Sequence, residues 1–414
     1  MEQNIVKALP DWPAVIVAGA FQTGVVLMRN LSRRGLRVMC FDCNPDYPGF
    51  QTIYGPAVLC PNPDDHFPEW LAFMKELSSQ FSDRPVLISS NDRFAAAIGK
   101  NPDELSKYFR FCSSAAAVQG LLSSKEQQYE LAARHGLPVP RSRFVDKSED
   151  VAAFAAEAKY PCLLKPLHER DWAAAGPGHP LHAVKLILAY TTDELFAHYR
   201  LAAALHPSMI VQEIIEGPDT AKLCYMACYD STGRRLGYST VRQWRTTPIH
   251  FGSASVVEPF PDPEAAALCD GFLRGIGYAG ICEIELKRDS QDGQVKMIET
   301  NPRYSVTADA APYAGVDLGW LHYLDLIGQP VTPVEPTNFN FRHIVLQRDL
   351  ATVRAYRAAG LITWKEVFAS YRRPVYFFDF DLRDWRVTAA SVNQMVRILL
   401  VPIWRRWFPK RAPA

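Results

Sequence analysis

No stretch of about 18 consecutive apolar residues occurs in the chain, so no membrane-spanning helix is expected. Neither sign of charge is in excess. Lys and Arg number 45 against 44 Asp and Glu, a net of +1, which argues against the broad basic field of a dedicated nucleic-acid binder. The opening MEQNIVKALPDWP has no apolar core and no small-residue cleavage site, so no secretory signal is expected. The phosphate-binding pattern GxxxxGK[ST] is missing, which closes the P-loop route to a nucleotide. Cysteine is sparse. Nine of them, an odd number scattered over 414 residues, fit reduced thiols in a cytoplasmic protein better than a disulfide scaffold. Cys40 and Cys43 form a CxxC, but no matching second pair follows, so buried thiols are expected there rather than a metal.

What is present reads as a folded chain of several domains: 48% hydrophobic, 21% charged, and too long for one ordinary core. The first hundred residues alternate strand and helix patterns. AVIVAGA is a short apolar strand ending in glycine, GVVLMRNLSRRG has helical spacing, and LRVMCFD and RPVLISSND repeat the strand pattern. A mostly parallel α/β sheet follows from that alternation. Gly19 and Gly24 flank the first turn and Asp42 ends the second strand, as in a dinucleotide fold. GAFQTG nevertheless departs from GxGxxG, so the dinucleotide reading stays an alternative. Gln22, Thr23 and Asp92 are ligand candidates at the strand ends.

The pattern changes at Ser123. SSKEQQYELAARHG reads as an N-capped helix stopped by Gly136, and YPCLLKP as a strand with Lys165 at its end. AAAGPGHP, Ala173 to Pro180, is a small-residue loop, and MIVQEIIEGPD is a strand running into a glycine turn. GICEIELKRD and QVKMIETNPR, joined by SQDG, read as a hairpin with its tight turn at Asp292-Gly293. In KMIETNPRYS, Glu299, Asn301 and Arg303 fall on every second residue and so share one face of a strand. The hairpin should bring Glu285 close to Glu299. Carboxylates and an amide oxygen suit a hard divalent cation, and a guanidinium suits phosphate.

Taken in this order, the pieces resemble the ATP-grasp superfamily over roughly Ser123 to Val316. IETNPRYS resembles its carbamoyl phosphate synthetase and biotin carboxylase members, and VAGAFQTGVVLMRNLSRRG resembles bacterial carboxylate–amine ligases related to D-aspartate ligase. The resemblance implies an α/β ATP-grasp fold, two α+β lobes holding ATP between them, preceded by a Rossmann-like parallel-sheet domain. The expected domains are 1–118 (Rossmann-like), 119–217 (small lobe with phosphate lysines, lid and adenine hinge), 218–330 (large lobe with the metal hairpin) and 331–414 (proline-rich linker and C-terminal extension). It implies that Lys125 and Lys165 contact the ATP phosphates, that Ala173 to Pro180 form a lid, and that the backbone of Glu213 and Ile215 binds adenine. Asp219 would take the ribose hydroxyls, where family members often carry Glu. Glu285, Glu299 and Asn301 would hold two Mg2+ ions, and Arg303 would act with Lys165 in catalysis. The implied activity joins a small-molecule carboxylate to an amine through an acyl phosphate, releasing ADP and phosphate. Other ATP-grasp chemistry, carboxylase or small-molecule kinase, is the alternative, with a dinucleotide-binding or nonenzymatic module behind it.

The substrate side rests on STVRQWRTTPIHFGSAS, where Arg242 and Arg245 would face a carboxylate or phosphate, and on Glu283, which would meet an amine. No nucleic acid is called for, and a homodimer is compatible with the sequence. The tail SVNQMVRILLVPIWRRWFPKR, Ser391 to Arg411, is amphipathic and basic. Such a stripe suits docking on protein more often than a membrane interface. The second reading would place a cytoplasmic enzyme at the inner membrane surface.

Overall fold

The computed structural model describes residues 11–113, 116–167, 170–173, 175–176, 178–182, 184–393 and 395. The first apolar runs form a parallel sheet of β1 (Val15–Ala18), β2 (Val38–Asp42), β3 (Ala57–Leu59) and β4 (Val86–Ser89), ordered β3-β2-β1-β4. Every residue of β1 and β2 is buried, as expected for parallel strands covered on both faces. The turn after β1 requires glycine twice. Gly19 has φ +120°, and a Cβ on Gly24 would lie 1.9 Å from the Gly19 carbonyl oxygen. This close approach seats the helix Gln22–Arg33 against the sheet, burying Val25, Leu27, Met28 and Leu31.

The chain divides into two compact units, Met1–Ser123 with Pro218–Glu285 and Thr300–Ala414, and Ser124–Gly217 with Leu286–Glu299. The smaller unit is built on β5 (Ser142–Val145), β6 (Cys162–Pro166), β7 (Ile187–Ala189) and β8 (Met209–Glu213), an antiparallel sheet ordered β5-β8-β6-β7. Its core gathers Val145, Phe154, Leu164, Trp172, Leu195 and Val211. The expected helix is Lys125–Arg134, with the Ser124 hydroxyl accepting from the Gln127 amide at its head.

A seven-stranded sheet contains β9 (Lys222–Tyr229), β10 (Arg235–Thr247), β11 (Ser253–Pro259), β12 (Gly280–Arg288), β13 (Val295–Asn301), β14 (Arg342–Ile344) and β15 (Val375–Phe377), ordered β13-β12-β9-β10-β11-β14-β15. The β12–β13 hairpin turns where the Asp-Gly pair predicts, with Gly293 at φ +75° and its amide donating to the Asp289 carbonyl at 2.8 Å. The division between the units runs through this hairpin. The region after the prolines does not stand apart. β14 pairs antiparallel with β11, and β15 pairs parallel with β14, so the C-terminal stretch extends the sheet.

Among the described residues no helix is long and apolar enough to cross a membrane. The expectation for the tail Ser391 to Arg411 falls almost entirely outside the described residues, as do Ala174 and Pro177 of the expected lid.

Candidate active site

In the smaller unit, Lys165 sits at the end of β6, one residue before Pro166. Its Nζ donates to Gln212 Oε1 at 3.1 Å and to the Tyr129 hydroxyl at 3.3 Å. Gln212 is fixed in turn, since its Nε2 donates to Ser142 Oγ at 2.8 Å and to the Tyr129 hydroxyl at 2.9 Å. Tyr129 donates to the Ile298 carbonyl at 2.9 Å, which ties the first helix of this unit to β13. Burial pushes the Lys165 pKa down to about 8, and the Glu299 carboxylate opposes that fall. Burial also raises Tyr129 to about 12, so it stays a neutral donor. Lys125 opens the helix Lys125–Arg134, and its charge reaches Tyr129.

The expected hinge follows β8. The Glu213 amide donates to the Arg141 carbonyl at 2.9 Å, and the Ile215 carbonyl accepts from the buried Lys287 ammonium at 2.8 Å. Sequence reasoning missed Lys287. It lies two residues beyond Glu285 on the same strand, a spacing that was readable, but its partner 72 residues away was not.

In the larger unit, Asp219 is buried at the start of a short turn of helix. Its Oδ2 accepts from the Tyr356 hydroxyl and from the His250 amide at 3.3 Å. Its Oδ1 is buried and has no hydrogen-bond partner. Lys222 lies close by, its pKa lowered by burial against the pull of Asp219 and Glu285. An orphaned carboxylate oxygen beside a buried cation is costly in isolation and fits a ligand that brings its own donors and charge.

Asn301 is held in one orientation. Its Nδ2 donates to Glu283 Oε1 at 3.3 Å, and its Oδ1 accepts from Arg303 Nη2 at 3.4 Å. Glu283 also accepts from the Ser305 hydroxyl and is 4% exposed. The expectation that Glu283 meets a substrate amine is therefore corrected, because its carboxylate faces inward and positions Asn301. Arg303 forms a two-point pair with Asp92 at the head of the helix Asp92–Lys100. The sequence marks Asp92 as a ligand candidate at its strand end but carries no signal for this partner.

Arg242 and Arg245 do not act together. An extra residue in the strand between Gln243 and Arg245 sets Arg242 opposite Glu258 and Arg245 opposite Val256, and it is their different partners that separate them. Arg242 binds Glu258 with Nε–Oε1 at 2.7 Å and remains partly exposed. Arg245 is 1% exposed, paired with both oxygens of Asp349 at 2.8 and 2.9 Å and with Ser370. That burial removes Arg245 from the substrate set. The dinucleotide alternative also weakens, since the buried Asp42 carboxylate accepts from the backbone amides of Ala20, Cys43 and Asn44 instead of facing outward.

In the larger unit Glu285 and Asn301 offer hard oxygen donors of the kind magnesium takes, and in the smaller unit Glu299 offers another. Burial lowers the basicity of Lys165 in the smaller unit and, separately, that of Lys222 in the larger.

No family model matches the chain. By sequence it is similar to D-aspartate ligase from Enterococcus faecium, 25% identical over 258 residues, which cover 60% of this chain and 60% of that protein. It is also similar to the C-terminal section of the carbamoyl phosphate synthase large chain from Methanopyrus kandleri, 21% identical over 59% of this chain and 42% of that one. The chain thus matches less than two thirds of the length of these curated relatives. By fold it matches N5-carboxyaminoimidazole synthetase from Staphylococcus aureus complexed with ADP, with TM-score 0.63 and 14% identity over 86% of this chain and 89% of that one. The biotin carboxylase domain of the Hydrogenobacter thermophilus 2-oxoglutarate carboxylase, complexed with MgADP, ADP and bicarbonate, matches with TM-score 0.61 and 17% identity, over 80% of this chain and 73% of that one. All four are ATP-grasp enzymes, and the chain has the ATP-grasp fold.

Proposed function

From the ATP-grasp fold of this chain, we propose an ATP-dependent ligase that joins a small-molecule carboxylate to an amine through an acyl phosphate. The observation that carries this reading is Lys165, a half-buried lysine wired through Tyr129 and Gln212 to the strand that carries Glu299, its pKa pushed down to about 8 by desolvation. A lysine so placed acts as a point charge for phosphate, and its charge rises in value once a polyanion arrives. Similarity to D-aspartate ligase supports a carboxylate–amine reaction over a carboxylase or kinase.

Glu285, Glu299 and Asn301 would hold two Mg2+ ions. When bound, these ions would neutralise the β- and γ-phosphates. Lys125 and Lys165 would orient the phosphates, Asp219 Oδ1 would accept from a ribose hydroxyl, and the backbone at Glu213 and Ile215 would face adenine. The substrate carboxylate oxygen attacks the γ-phosphorus, and the bond from γ-phosphorus to the bridging oxygen breaks, releasing ADP. The neutral amine then attacks the acyl carbon, and phosphate leaves from the tetrahedral intermediate, taking up the proton that the nitrogen gives up. Arg303 would steady the transferring phosphoryl group and the oxyanion. Glu283 acts through Asn301, whose amide it holds. Positioning and charge stabilisation supply the catalysis.

The test is a screen of amino acids and other carboxylates for magnesium-dependent ADP release, with amide product identified by mass. Glu299→Gln, nearly isosteric, should remain folded and lose turnover by about two orders of magnitude or more. Near-normal ADP release by that variant would remove the metal assignment.

A further inference from the structure

A cavity of about 430 Å³ opens in the larger unit, and none of the proposed ATP or metal residues lines it. Its walls come from the head of the helix Gln22–Arg33, the loop 46–54, the start of the helix Leu346–Ala358 and the stretch 378–391. The lining is mainly apolar, with Phe21, Val25, Val26, Tyr47, Val345 and Phe378 on it. A cavity of this size suits a small organic ligand.

Three polar groups on these walls are incompletely matched. Asp384 is 2% exposed, and while its Oδ2 accepts from the Thr52 hydroxyl, its Oδ1 is buried without a partner. Arg29 is 4% exposed and pairs with Asp309 through Nη2 at 3.1 Å, but its Nε has no partner. Arg348 donates to the Ala254 carbonyl at 2.6 Å and has no carboxylate in ion-pair range among the described residues. Burial lowers its pKa against the opposing charges of Asp379 and Glu285. Buried polar groups are normally satisfied, and such exceptions need an explanation. A cavity that asks for an anion at a guanidinium, a donor at a carboxylate and an apolar body between them describes a zwitterion with a hydrophobic side chain.

We propose that this cavity binds the carboxylate substrate, an amino acid with an apolar side chain, its carboxylate on Arg348 and its ammonium on Asp384. The assignment of this ligand as substrate rests on the ligase reading. Arg348 feels the charge of Glu285 on β12, a strand proposed to bind metal. The N-terminal sheet domain and the C-terminal stretch both contribute walls, which gives the β14–β15 extension a role in choosing substrate.

Calorimetry on the full chain without nucleotide tests this, with phenylalanine and leucine of both hands as probes. Phenylpropionate and phenethylamine serve as controls that each lack one charged end. At least one amino acid should bind, and each single-ended analogue of it should bind at least tenfold more weakly. Asp384→Asn should weaken amino-acid binding at least tenfold and leave phenylpropionate unchanged, and Arg348→Gln should spare phenethylamine instead. Ala351→Trp, which fills the cavity without altering charge, should abolish binding while the protein keeps its cooperative melt. Absence of binding by all four amino acids at millimolar concentration, or binding that survives Ala351→Trp, overturns the proposal. Binding without stimulated ADP release keeps the cavity as an amino-acid site and sinks the ligase reading. ADP release driven by some other acid and unaffected by the three variants does the reverse.

Discussion

Arg303 and Asp92 face each other in a two-point ion pair, Nε to Oδ1 at 2.6 Å and Nη2 to Oδ2 at 2.7 Å, although 211 residues separate them. Asp92 is 66% exposed, so water competes for its carboxylate and a bound phosphate can displace it. In the proposed reaction Asp92 would hold the guanidinium until a phosphate takes its place. Arg303→Ala should lower kcat about 100-fold or more, Asp92→Asn only a few-fold, and the double variant should match Arg303→Ala. Equal losses from the two single variants, with matching loss of melting temperature, would mark a merely structural pair.

Lys165 supplies the pH dependence. Its folded pKa, about 8, lies below the ordinary lysine value of 10.5. Between those values the unfolded chain binds the extra proton, so stability rises with pH across this window. Below it both states are protonated, and the burial cost of about 3 kcal/mol is fully present. ATP binding runs the other way. Phosphate favours the protonated lysine, so affinity should be flat below about pH 8 and fall above it. Calorimetry at pH 8.5 in buffers of different ionisation enthalpy should register proton uptake on binding ATP, and Lys165→Met should remove it. Unchanged uptake in the variant would place the titrating group elsewhere.

Asp219 should read the ribose. With Oδ1 orphaned and Oδ2 held by Tyr356 and the His250 amide, one acceptor remains for a sugar hydroxyl. A charged hydrogen bond contributes about 1.5–3 kcal/mol, or roughly 10- to 100-fold in affinity. ATP should be preferred over its 2′,3′-dideoxy analogue by that factor, and Asp219→Asn should erase most of the preference. Equal discrimination in both proteins would contradict the assignment.

Arg245 should prove structural. Removing one partner of a buried ion pair leaves the other uncompensated, at a cost of about 3–5 kcal/mol. Arg245→Ala should therefore unfold at markedly lower denaturant, because Asp349 stays 0% exposed with its charge unmatched. Arg242→Ala should lose less than about 1 kcal/mol, since Glu258 keeps Arg342 and Arg373. The reverse order would return Arg245 to the substrate set.

Much of the fold was legible because its signals are local. The Asp292-Gly293 turn, the strand ending in Lys165 and the Ser124-capped helix are each written within ten residues. What could not be read were the partners. Period two puts Glu299, Asn301 and Arg303 on one face, but not Glu283 under Asn301 or Asp92 against Arg303. For Arg242 and Arg245 nothing local showed that one would stay partly exposed with Glu258 and the other be buried against Asp349. β14 and β15 have three residues each, too few for any periodicity, so sheet pairing alone revealed them.

The central claim is an acyl phosphate, and oxygen transfer tests it most directly. With the carboxylate identified by the ADP-release screen and labelled with 18O, single turnover with amine should move one labelled oxygen into inorganic phosphate, with ADP as the nucleotide product. Label found in AMP, with release of pyrophosphate, or phosphate carrying no label would contradict it.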